Sequence, residues 1–245
     1  MRGSYQLSLG GPLTPAVRVI ITANVAVFIV TFLSRFMFPG LHLEYWGGLV
    51  PDLVTERFPF FIYQFFTYMF FHGNIWHIFF NMLVLAMFGG ELERLFGTKQ
   101  FYTYYFICGV GAGLFNYVVN IVFSLPGMYP IIGASGAIYG LLAAYGIFYG
   151  DRHIFFMMLF PMKARTFVIV LGLIEFFSSF SMTQDGIAHL AHLGGLICGV
   201  VYIYFKFLKK PPAFFRKWKE NRTRKKFKVM VSDISEEDWN KMWKH

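Results

Sequence analysis

Residues able to do chemistry gather in three short stretches of a chain that is otherwise mostly apolar. Ser135 sits in Gly133-Ala134-Ser135-Gly136-Ala137-Ile138-Tyr139-Gly140, at the head of an apolar run. His72, His77 and Asn81 lie in FFHGNIWHIFFNM, and Asp185, His189 and His192 in DGIAHLAHLGGLICG. A serine hydroxyl becomes a useful nucleophile only when a base takes its proton, and His192 and His189 are the candidate bases. The oxyanion that follows needs fixed donors. The Asn81 amide, a His77 ring N–H and the backbone N–H groups around Ser135 are available. Ser135 opens its helix, where the first N–H groups have no partner and the dipole favours negative charge. Taken singly, a serine in a membrane helix bonds back to its own backbone, and a lone histidine or asparagine is interhelical glue. Three such clusters agreeing in depth on three helices point instead to one site.

The elements that must position them are set by composition. Of 245 residues, 56% are hydrophobic, 21% aromatic and 14% charged. A soluble domain averages about 25% charged residues, so this chain has too few to coat a water-facing surface and reads as an integral membrane protein. The net charge of +9 does not signal nucleic acid, because 13 of the 22 Lys and Arg fall between Lys206 and Lys244. A basic tail behind an apolar body reads as a cytoplasmic flank in contact with lipid headgroups. Cys108 and Cys198 lie in apolar segments and read as small buried hydrophobes rather than a disulfide. The polar start MRGSYQLSLGGPLTPAVR, with no small-residue cleavage site after the first apolar run, predicts a retained anchor rather than a signal peptide.

A helix needs about 20 mostly apolar residues to cross the hydrocarbon core. Six segments qualify or come close: 16–34, 75–96, 101–123, 135–149, 166–180 and 187–207, the fourth and fifth being short. The stretch 154–162, bounded by Pro161, Lys163 and Arg165, is expected to be a connection partly in the interface. The inner connections carry Arg94, Lys99, Arg152, Lys163 and Arg165, whereas those around Pro126 and Asp185 carry no Lys or Arg. This asymmetry places both termini in the cytoplasm. The long first outer connection, 36–72, contains FPFFIYQFFTYMFF, which is expected to lie in the membrane interface. A seventh span there would spoil the charge asymmetry. The organisation expected is a cytoplasmic segment 1–15, a membrane domain 16–208 and a basic cytoplasmic tail 209–245.

Small residues fit close helix approach. Gly136 and Gly140 are one turn apart, and Ala191, Gly195 and Gly199 form a stripe; such spacing lets membrane helices pack tightly. Tyr139, one turn beyond Ser135, can flank a histidine ring.

These residues resemble the rhomboid intramembrane serine proteases. The shared pattern is Gly133-Ala134-Ser135-Gly136 with Tyr139 four residues after the serine; His192, Gly195 and Gly199 in the sixth span; and His72, His77 and Asn81 in the second, which ends in Gly89-Gly90-Glu91-Leu92-Glu93. The likeness covers about residues 50–207. It implies an all-α bundle of six transmembrane helices with a membrane-embedded first outer loop, no cofactor or metal, and membrane-anchored, single-span protein substrates cut in the outer part of the bilayer. By the resemblance, Ser135 is the nucleophile and His192 the base of a dyad. Asn81, His77 and the Ser135 N–H hold the oxyanion, Tyr139 packs on His192, Gly133, Gly136, Gly195 and Gly199 support the fold of the site, and His72 is structural. It also implies a multi-pass protein of a bacterial inner membrane, its site opening to the outer side.

One departure stands out. Some members carry a Trp-Arg pair in the first outer connection, and here Trp46 is followed by Gly47. His189 is outside the minimal pattern and reads as an accessory or a packed polar group. Glu175, an intramembrane acid, is a functional candidate by default but reads rather as a hydrogen-bonded packing group, and Asp185, an alternative third triad member with His189 or His192, as a loop residue. An inactive, membrane-protein-binding relative would lack the serine or histidine, and both are present. A zinc protease would show His-Glu-x-x-His, which is absent, and a transporter would show repeats or broken half-helices.

Overall fold

The computed structural model describes residues 13–156, 160–179 and 189–209, with positions 216, 218 and 221. Asp185, residues 1–12 and most of the tail lie outside the described residues. The chain divides into two compact units, Met1–Val201 and Tyr202–His245, and the candidate site lies wholly in the first.

The six expected helices are all present: α1 (Pro15–Met37), α2 (Ile75–Phe96), α3 (Thr98–Val122), α4 (Ser135–Phe148), α5 (Ala164–Ser178) and α6 (His189–Leu208). Four of them, α1, α2, α3 and α6, are long and apolar enough to cross a bilayer. Helices α4 and α5 have 14 and 15 residues, short as their sequences suggest. Helix α1 shows why lipid is the solvent. Its buried face carries Asn24, Thr31 and Ser34, while Val19, Ile29, Val30 and Leu33 are exposed. The Asn24 amide donates to Ile20 O (2.8 Å), Thr31 Oγ1 to Phe28 O (3.0 Å) and Ser34 Oγ to Thr31 O (2.8 Å). Each of these inward side chains thus donates to its own helix, as a medium without water favours.

Glu93 ties the start of α1 to the end of α2. Its carboxylate accepts the Ala16 N–H (3.0 Å), the Val17 N–H (3.1 Å) and the Thr98 hydroxyl (2.7 Å). The first N–H groups of a helix lack intrahelical partners and carry the positive end of its dipole, so a carboxylate suits them.

Helix α4 is central: 11 of its 14 residues are buried, as befits a helix apolar all round. A Cβ at Gly195 would run into the Gly136 carbonyl, and one at Gly199 would lie 3.0 Å from Gly140 Cα. The sequence suggests that Gly136 and Gly140 admit the histidine helix. They do, a Cβ at Gly140 lying 3.3 Å from Gly195 O, and they also admit α3 more closely: a Cβ at Gly136 would meet Ala112 Cβ at 2.6 Å and one at Gly140 would meet Cys108 Cβ at 2.5 Å. The approach of α6 is also made by its own Gly195 and Gly199.

The first outer connection holds only short helical turns, Leu43–Gly47, Pro51–Glu56, Gln64–Thr67 and Tyr68–Phe70, and no seventh span. Without a Trp-Arg pair it is anchored by buried Gln64. That side chain accepts the Val50 N–H (3.0 Å) and donates to Trp46 O (3.1 Å). Thr67 Oγ1 donates to Gly47 O (2.7 Å), Tyr68 Oη to Gly109 O on α3 (2.6 Å), and Arg35 pairs with Glu44 (2.5 Å). Phe58, Phe60, Ile62 and Phe66 point outward, as an interfacial segment should. Between α4 and α5 the expected connection is a β-hairpin, β1 (His153–Phe156) paired antiparallel with β2 (Phe160–Lys163). The run is too short for a helix, and Ile154, Phe155 and Phe156 are strand formers.

Candidate active site

The backbone entering α4 sets the site. Gly133 has φ +124°, a conformation side chains rarely adopt, and a Cβ there would sit 2.7 Å from His77 Nε2. Its N–H donates to Tyr68 O (3.0 Å), and Leu49 and Ile131 exchange backbone hydrogen bonds (2.9 and 2.8 Å). The outer connection therefore holds the approach to Ser135, the first residue of α4.

His192 lies in the first turn of α6, and its Nε2 is 2.7 Å from Ser135 Oγ. The Tyr139 ring stacks on it at 4.5 Å and 10°. Its other nitrogen, Nδ1, is 3.1 Å from Glu175 Oε1, near enough for an ion pair but not aligned for a hydrogen bond. A carboxylate beside Nδ1 favours the ring proton on that nitrogen, which would leave the Nε2 lone pair for the serine hydroxyl.

His77 is set the opposite way round. Its Nδ1 accepts the Gly73 N–H at a long 3.5 Å, which leaves Nε2 as the protonated nitrogen, beside Gly133. Asn74 caps α2 by accepting the His77 backbone N–H (2.9 Å). The Asn81 amide donates one hydrogen to His77 O (2.9 Å) and retains a second. His72 is fully buried and packs edge-on against His77, with ring centroids 4.9 Å apart. Ser135, His192, Tyr139, Gly133 and His77 are thus brought together. Asn81 lies one turn along α2, His72 backs His77, and Gly136, Gly195 and Gly199 line the helix contacts.

Glu175 is hydrogen-bonded, as the sequence suggests, and its partners are residues of the site. It sits in the last turn of α5, 6% exposed. Its Oε1 accepts the Tyr139 hydroxyl and its Oε2 accepts the His189 Nδ1–H at 2.6 Å. The sequence signal was an acid near the outer end of a membrane helix; which groups it would meet was not in the sequence. His189 enters the site through this carboxylate and through an edge-on ring contact with His192, centroids 6.3 Å apart. The donor atoms of Glu175, His189 and His192 lie within 4.8 Å of one another, close enough for a metal ion. Both carboxylate oxygens already hold protein donors, however, so a cation would have to displace them.

The chain belongs to the rhomboid family: residues 59–209 match the Rhomboid domain. It is similar to Rhomboid-like protein 15 of Arabidopsis thaliana, 26% identical over 210 residues that cover 80% of this chain and 49% of that protein. Rhomboid protease GluP of Bacillus subtilis is 33% identical over 144 residues, covering 58% of this chain and 26% of GluP. Rhomboid-like protease 1 of Toxoplasma gondii is 25% identical over 184 residues, covering 71% of this chain and 56% of the relative. The chain spans about half, or less, of the length of these relatives.

Proposed function

We propose that the protein is an intramembrane serine endopeptidase that cleaves membrane-anchored, single-span proteins in the outer part of the bilayer. The observation that carries this reading is the 2.7 Å contact between Ser135 Oγ and His192 Nε2. Two of the similar proteins carry the word protease in their names.

Ser135 Oγ attacks the scissile carbonyl carbon as His192 Nε2 takes its proton. The carbonyl π electrons move to oxygen, and this oxyanion is met by the Ser135 N–H, the His77 Nε2–H and the free Asn81 N–H. Collapse of the intermediate breaks the C–N bond, and His192 gives its proton to the leaving amine. Water then attacks the acyl-enzyme with His192 again as base, releasing the acid and restoring Ser135. Tyr139, flat on His192, keeps the ring in plane for both transfers. No step needs a metal or an organic cofactor. The domain 16–208 carries the reaction, with both termini cytoplasmic and the site open to the outer side, as the Lys and Arg distribution favours. Substrates are expected to bear small residues and a weakened helix near the outer membrane face.

The test is labelling of membranes with a serine-reactive fluorophosphonate, together with cleavage of a reconstituted single-span substrate. Wild type labels and cleaves; Ser135→Ala and His192→Ala do neither while remaining folded. Activity surviving in Ser135→Ala would sink the dyad. A wild type that neither labels nor cleaves but retains membrane proteins would favour the non-cleaving relative.

A further inference from the structure

We propose that Glu175 is a positioning residue for His192: its carboxylate holds the imidazole in the tautomer and plane that Ser135 requires, with His189 and Tyr139 bracing the carboxylate. The proposal rests on the endopeptidase reading and extends its dyad by a third group.

Three helices converge on this one side chain. Tyr139 comes from α4, Glu175 from α5, and His189 and His192 from α6. A charge at this depth is tolerated only when paired, and the pairing here is specific in atoms. Oε1 takes the Tyr139 hydroxyl and faces His192 Nδ1 at 3.1 Å, while Oε2 takes His189 Nδ1 at 2.6 Å. A group serving only to pack α5 against α6 would be satisfied by an amide. A carboxylate differs in one respect that matters: ionised, it only accepts. Every imidazole nitrogen that faces it must therefore carry the hydrogen. At His192 this favours N–H on Nδ1 and leaves the Nε2 lone pair 2.7 Å from Ser135 Oγ. When His192 takes the serine proton, the resulting imidazolium has an anion beside it. The 3.1 Å approach, unaligned at rest, is the loose form expected before substrate tightens the contact. His189 occupies the far oxygen and turns the near one toward His192. Tyr139 stacks on His192 and donates to the same carboxylate, so it fixes the ring and its orienter together.

An amide at position 175 would keep the size and, with its single oxygen toward His189, that bond, while its NH2 would take the place of the oxygen that accepts from Tyr139. It could also present its NH2 to His192 Nδ1, trapping the tautomer whose Nε2 already carries a hydrogen and cannot take another. The same carboxylate-to-amide change in a soluble serine-protease triad lowers kcat about 10⁴-fold with the geometry intact.

The experiment uses the full chain in detergent and in proteoliposomes, as wild type, Ser135→Ala, Glu175→Gln and Glu175→Asp. It reads the fluorophosphonate labelling rate, kcat and KM on a single-span substrate, and the thermal midpoint. Glu175→Gln is expected to slow labelling and kcat by about 10²- to 10⁴-fold with KM nearly unchanged, the pattern of a lost transition-state interaction. Its thermal midpoint should stay near that of wild type, and Glu175→Asp, which keeps the charge, should recover part of the rate. Labelling of Glu175→Gln at the wild-type rate overturns the proposal while leaving the endopeptidase intact. So does a loss of activity that only follows a lowered midpoint, or Glu175→Asp as inactive as the amide. A wild type that does not label at Ser135 brings down both readings.

Discussion

Glu93 and Glu175 are both almost sealed from solvent, at 3% and 6% exposure, yet they hold different kinds of partner. Glu93, at the end of α2, accepts from backbone N–H groups of Ala16 and Val17 and from the Thr98 hydroxyl. None of these changes its proton during a reaction, so the carboxylate works as a cap that joins α1 to α2. Glu175, at the end of α5, accepts from a phenol and an imidazole and faces a second imidazole. Partners that can gain or lose protons make a buried charge part of a reaction path; partners that cannot make it part of the frame. In the proposed topology the two sit at opposite membrane faces, the frame inside and the chemistry outside.

Substitutions can break this contrast. The largest effect belongs to the outer end: His192→Ala should reduce cleavage to background, with the thermal midpoint little changed. Next, His77→Ala should lower kcat about 10²- to 10³-fold, the usual loss for one oxyanion donor, measured as initial rates at saturating substrate. Glu93→Gln should do the reverse, costing about 1–3 kcal/mol of stability by leaving buried donors poorly paired. Turnover per folded molecule should then hold; a fall in kcat without a fall in midpoint would erase the distinction between the carboxylates. Gly195→Ala probes the frame beneath the chemistry. Its methyl would meet the Gly136 carbonyl, and such overpacking costs about 1–3 kcal/mol. Because the same contact sets the reach of His192, activity and midpoint should fall together. At the small end, Arg165→Ala removes an exposed pair with Asp151 (2.8 Å) and should move stability by less than about 1 kcal/mol, with cleavage unaffected.

Much of this was legible in the residues. Six helices followed from apolar length, and their bounds differ from the observed ones by a few residues at most. The motif positions Ser135, His192, Tyr139 and His77 could be gathered because each is the head or first turns of its helix, so sequence order and topology bring them to one face. The 153–163 hairpin was not legible as such, since a short apolar run reads equally well as loop, strand or half-buried turn. Gln64 as the anchor of the outer connection was hidden too. An internal glutamine gives no sign of which backbone groups it will reach, and those of Tyr45, Trp46 and Val50 are brought to it only by the fold.

Composition and spacing by themselves determined that the chain lives in a bilayer, how many helices it has, which end of each carries polar groups, and that Ser135 with His189 or His192 is the candidate pair; the choice of His192 came from the family resemblance. Those properties are local: they depend on length, on charge count and on the 3.6-residue period. Tertiary structure decided the rest. That Gly136 and Gly140 face α3 as well as α6, that His77 presents Nε2 to the serine turn, and that Glu175 meets Tyr139, His189 and His192 all depend on how each helix is rotated about its own axis. Rotation is set by which ridges and small residues pack against which neighbours, and no single helix contains that information.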